Sequence, residues 1–113
     1  MLDKLNQLMG LTKLAPRIKE EAERLQQRLG QLSAEGDAGA GMVKVRVNGR
    51  LEVLGCRLSD EALRLNDREM LEDLIKSAVN QALRKARQLV ADETGRMMTG
   101  LGLPPGMGLP GLP

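Results

Sequence analysis

Apolar positions change their period three times along this chain. Over residues 2–32 they recur at Leu11, Leu14, Ile18, Ala22, Leu25, Leu29 and Leu32. Steps of three and four keep these side chains on one narrow helical stripe, of the width that seams a coiled coil. Pro16 interrupts the run, and a proline either opens a helix at its first turn or kinks a longer one. The spacing predicts a helix over residues 16–32, with a looser turn or helix before it. So thin a stripe needs another helix or a sheet to pack on.

Residues 33–41, "SAEGDAGAG", are small and polar and read as a loop. The period then drops to two: Val43, Val45 and Val47 alternate with Lys44, Arg46 and Asn48. That is the pattern of a half-buried strand, with the valines toward helices or a partner sheet and Lys44 and Arg46 on the other side. Asn48-Gly49 is the favoured pair for a two-residue turn with positive φ, which predicts a hairpin into residues 51–58. On that second strand Leu54, Cys56 and Leu58 share a face. Glu52 falls in the same period, so a register shift is predicted near Gly55, where a bulge forms easily.

Period 3.6 returns after Ser59. Ser59 caps a short turn through Leu63, and Asn66 or Asp67 caps the main helix. From Met70 the apolar set is Leu71, Leu74, Ile75, Ala78, Val79, Ala82, Leu83, Ala86, Leu89 and Val90, a continuous amphipathic helix of about six turns. Gly95 is placed to end or fray it. The tail "GLGLPPGMGLPGLP" alternates Gly and Pro too densely for any periodic element and is expected to be disordered. Met97, Met98 and Met107 border it and read as a frayed end. The expected architecture is α+β in a single domain over residues 1–99, with 1–15 loosely ordered and 100–113 a tail.

Composition narrows the function. The 113 residues contain no Phe, Tyr, Trp or His, and net charge is +2, from 17 basic and 15 acidic residues. An aliphatic core in so small a domain is short of buried area, so a partner subunit is expected. Without His there is no default general base near neutral pH, and no metal constellation forms without His or clustered Cys. Adjacent carboxylates such as Glu72 and Asp73 diverge by about 100° on a helix and cannot share a proton. Cys56, the single cysteine, reads as a small core residue and fits a reducing compartment. A non-enzymatic protein without cofactor or small-molecule substrate is expected. No apolar run approaches a membrane span, so the expected location is cytoplasmic.

Charge is segregated. Residues 42–58 hold four basic and one acidic residue, 76–96 hold five and two, and 59–75 between them hold two and six. Lys13, Arg17, Arg24 and Arg28 step by 4, 7 and 4 along the first helix, and Lys76, Arg84, Lys85 and Arg87 lie on the second. Such sets suit phosphate contacts, which a dimer doubles about its two-fold. Glu20, Glu21 and Glu23 sit among the arginines, so a solvated, ion-paired face is the alternative. Missing aromatics argue against base-stacking single-strand or RNA recognition and toward duplex DNA. Asn80 and Gln81 are amides within reach of base edges, or else merely solvated.

The stretches "GMVKVRVNGRLEV" and "LSDEALRLNDREMLEDLIKSAVNQALRKA", with the Gly/Leu/Pro/Met-rich end, resemble the YbaB/EbfC family of bacterial nucleoid-associated proteins. The resemblance spans residues ~15–107 in element order and spacing. Ser59-Asp60 stands where the family often carries Asp-Pro, and Cys56 where a branched residue is common. The resemblance implies a homodimer with a three-stranded antiparallel sheet per subunit, including a short edge strand over residues 34–37. It implies projecting N- and C-terminal helices in a tweezer-like arrangement, and double-stranded DNA binding in the cytoplasmic nucleoid. The family's DNA contacts form no sharp motif, so the eight helix cations rest on spacing alone. Lys44 and Arg46 are expected to lend a supporting positive field rather than touch DNA. The competing expectation is a helical clamp for a protein partner in DNA repair or recombination.

Overall fold

A computed structural model describes residues 2–102, apart from the side chains of residues 2, 3 and 6–11. The elements are α1 (Leu2–Gln31), β1 (Ser33–Ala38), β2 (Val43–Asn48), β3 (Val53–Leu58), α2 (Asp60–Arg64) and α3 (Arg68–Gly100). The strands form one antiparallel sheet in the order β1-β2-β3. This is the predicted α+β architecture, with the 33–41 segment supplying the edge strand β1 as well as a turn. The Gly/Pro tail beyond residue 102, Met107 included, lies outside the described residues.

β2 is central, and its three valines are fully buried. They pack with Ala34 and Ala38 of β1 and with Ala78, Ala82 and Ala86 of α3. The alanine row at steps of four lets the helix lie unusually close to the strands. At Gly36 the approach is closest: a Cβ there would stand 1.9 Å from the Ala78 carbonyl oxygen. α3 covers β1 and β2 and leaves β3 beyond its edge.

A second core joins the helices. Leu25 and Leu29 of α1 bury with Val90, Met97 and Met98 of α3. Arg28 faces Glu93, while Arg17 and Glu21 share a cleft with Gly100 and Leu101, so the helices run antiparallel. This packing corrects two expectations, the break at Gly95 and the frayed Met97 and Met98. Of the two alternatives for Pro16, the longer helix is the one found: α1 runs through it, without the backbone donor that a proline lacks, and no helix begins at residue 16. Gly95 does not stop α3, because Met97 and Met98 beyond it are core rather than frayed. The stop is Gly102, whose φ of 76° is the left-handed conformation that closes a helix end, with its N–H donating to the Thr99 carbonyl at 3.0 Å.

The β2–β3 connection also differs from the two-residue turn expected. Positive φ falls on Leu51 (62°), not on Gly49, and β3 begins only at Val53. The buried Asn48 side chain organises the loop instead. Its Oδ1 accepts from the N–H groups of Arg50 (2.9 Å) and Glu52 (3.1 Å), and its Nδ2 donates to Glu52 Oε1 (3.0 Å). Gly49 N–H donates to the Leu29 carbonyl at 2.9 Å, and the Arg50 guanidinium donates to the Gln26 carbonyl, so the loop caps the end of α1.

The bulge near Gly55 is present. Arg46 pairs with Gly55 but Val47 pairs with Val53, which leaves Leu54 as the extra residue. Val53, Cys56 and Leu58 thereby share the valine side of the sheet, not Leu54, Cys56 and Leu58. Every residue of β3 is exposed, Cys56 among them, so Cys56 is not a core residue within one chain. Val53 is 55% exposed, and Leu63 on the adjoining α2 is 65% exposed.

Candidate nucleic-acid interface

Asp67 caps α3 by accepting from Met70 N–H at 3.0 Å, and Ser59 caps α2 through Ala62 N–H at 3.1 Å. With Ala78, Ala82 and Ala86 turned onto the sheet, helical geometry turns Lys76, Asn80, Arg84 and Arg87 to the opposite, solvent side. They step by four, four and three, a line of about 16 Å at 1.5 Å per residue. Arg84 and Arg87 carry no ion pair among the described residues. Two exposed guanidiniums on the same face as an amide make a surface suited to phosphate oxygens.

The other predicted cations divide by their partners. Lys76 stands 3.6 Å from Asp73 on an exposed turn, a contact that water screens strongly. Lys85 leaves the solvent face, its Nζ donating to the Glu35 carbonyl at 3.0 Å and pinning α3 to β1. Gln81 is likewise structural, its Oε1 accepting from Asp37 N–H at 2.6 Å. On α1, Arg24 is held by Glu20 at 2.7 Å and by Glu21 at 2.9 Å. Arg28 lies 3.8 Å from Glu93, which also binds Arg96. Lys13 and Arg17 are exposed and without an ion pair among the described residues. The eight positions therefore do not form one patch: Arg84, Arg87, Lys13 and Arg17 are available, and the rest are engaged.

The sheet carries a further set: the period-two pattern placed Lys44 and Arg46 on one side without assigning them contact, and β3 adds Arg57, which that pattern did not single out. Lys44, Arg46 and Arg57 share the face away from α3, around an open depression of about 360 Å³ whose lining includes Gly55 and Glu35. No group of three or more His, Cys, Asp or Glu able to hold a metal ion occurs among the described residues, and no described helix is long and apolar enough to cross a membrane.

The fold has a solved counterpart. The crystal structure of an uncharacterized protein, HP0035, from Helicobacter pylori superposes with a TM-score of 0.69 at 24% identity, covering 78% of this chain and 92% of that one. At that identity the likeness speaks for the fold. The family model of the YbaB/EbfC DNA-binding family matches residues 4–101, which takes in nearly all of α1, the sheet, α2 and α3. With that match over nearly its whole length, the chain belongs to the YbaB/EbfC DNA-binding family.

Proposed function

We propose that this protein is a nucleoid-associated, non-catalytic binder of double-stranded DNA that acts as a homodimer in organising the nucleoid or tuning expression. The observation that carries the reading is the solvent face of α3, where Arg84 and Arg87 stand exposed beside Asn80 and without an ion pair among the described residues. Arginines held off from acids, in a chain nearly balanced in charge, suit an external polyanion. Lys13 and Arg17 on α1 add to the set, while Arg24 and Arg28 contribute only after leaving their glutamates. The absence of any aromatic ring favours a duplex over an unstacked strand.

Dimerisation has its own support. Val53, Cys56 and Leu58 lie on the apolar side of the sheet beyond the reach of α3, and Leu63 and Met70 are exposed as well. A second copy docked there completes the half-covered sheet and doubles every cation about a two-fold axis. A gel shift of duplex DNA from about 50 to 200 mM salt, with the solution mass measured in parallel, tests both parts. A salt-sensitive shift by a species of twice 12.3 kDa is expected. A 12.3 kDa species that shifts no duplex at low salt favours the clamp for a repair or recombination protein, to which the same apolar strip is suited.

A further inference from the structure

The sheet's polar face sets like charges side by side. Lys44 and Arg57 are directly opposite in the β2–β3 register, and like charges so placed destabilise a sheet. Arg46 follows on the same face. Glu35 and Asp37 oppose Arg46 and Lys44 on β1, yet no ion pair within 4.0 Å forms among these described residues. The Asp37 carboxylate is instead occupied in the turn, accepting from Gly41 N–H at 2.8 Å. Opposite Arg46 stands Gly55, where an added Cβ would meet nothing within 4 Å. Three cations without an ion pair among the described residues, with Glu35 beside them, thus line a floor that lacks a side chain, and two of them are planar forks matched to phosphate oxygens.

Position adds to charge. The sheet and α3 are the two layers of the fold, so this face and the Arg84–Arg87 face look in opposite directions. A straight duplex lying on one does not touch the other. We infer that Lys44, Arg46 and Arg57 form a second phosphate-binding surface, which seats a separate DNA segment and makes the protein a bridge between two duplexes. The inference rests on the DNA reading above and extends it from binding to bridging. An acidic protein segment matches the charge but makes less use of the open floor at Gly55, which favours close approach of a compact oxyanion.

The test is capture of a labelled duplex by an immobilised one through the full-length protein, with binding to a single duplex measured beside it. The Lys44→Gln/Arg46→Gln/Arg57→Gln variant is expected to lose capture by about tenfold or more, while its single-duplex affinity changes by less than about threefold. Its melting temperature should change little, because relief of the Lys44–Arg57 repulsion offsets the lost attraction of Glu35 for Arg46 and Asp37 for Lys44. Gly55→Glu, which keeps all three cations and places a carboxylate among them, should lose capture likewise. Undiminished capture in both variants overturns the inference, as does wild-type protein that binds one duplex and captures no second. Loss of single-duplex binding in step with capture also overturns it, since the face then belongs to one shared contact. Poly-glutamate binding that disappears in the triple variant while bridging persists assigns the face to an acidic protein and overturns it too. Wild-type protein that binds no duplex at all refutes the DNA reading itself, a distinguishable result.

Discussion

Gly36 shows how one missing methyl group sets the spacing of two layers. Its position on β1 faces the Ala78 carbonyl, so Gly36→Ala drives a Cβ to 1.9 Å from backbone oxygen. Neither side yields as a flexible side chain does, and α3 must lift from the sheet. Overpacking of this kind costs about 1–3 kcal/mol, and a melting-temperature drop at the upper end of that range is expected. An unchanged midpoint contradicts the close packing described. Asn48→Ala removes one side-chain donor and an acceptor shared by two loop N–H groups, and should cost about 1–3 kcal/mol by denaturant titration. The sequence marked Asn48-Gly49 correctly as a chain reversal but for a different reason. Positive φ at Gly49 was the expected device; the loop instead takes it at Leu51 and is held by side-chain acceptance at Asn48, and no periodicity reveals where an amide points.

At the scale of elements, the long helices separate what local pattern shows from what packing decides. The caps at Ser59 and Asp67, the valine strand and the bulge beside Gly55 were all legible, because each follows from a few neighbouring residues. The ends of helices were not. Pro16 and Gly95 are local signals for breaks, and the contact of Leu25 and Leu29 with Met97 and Met98 overrides the second of them. Eight cations at helical spacing were visible, but which of them meet carboxylates depends on the pairing of side chains in space. That pairing predicts a ranking. Arg24→Ala should leave duplex affinity nearly unchanged, since Glu20 and Glu21 already hold the guanidinium. Arg84→Ala should weaken binding several-fold at low salt. Equal losses from the two variants, measured by fluorescence anisotropy, contradict the division of engaged and available arginines.

For the molecule as a whole, the exposed β3 strip and the sparse cations are two sides of one arrangement. On the reading proposed above, a chain with net charge +2 would grip a polyanion by pooling contacts from two copies that meet on the apolar side of β3. Leu58→Glu combined with Val53→Asp should give a 12.3 kDa species by light scattering and weaken duplex binding with it. A variant that stays dimeric moves the interface elsewhere. The single chain's need for a partner was legible in its aromatic-free composition, whereas the strip itself depends on how far α3 reaches across the sheet. Most direct is the salt dependence of duplex affinity for Arg84→Ala/Arg87→Ala beside the unmodified protein. Each lost phosphate contact removes about 0.9 from the slope of log affinity against log salt, so four contacts per dimer predict a fall of about 3 to 4. A slope identical to that of the unmodified protein contradicts the assignment of α3 as the DNA-binding face.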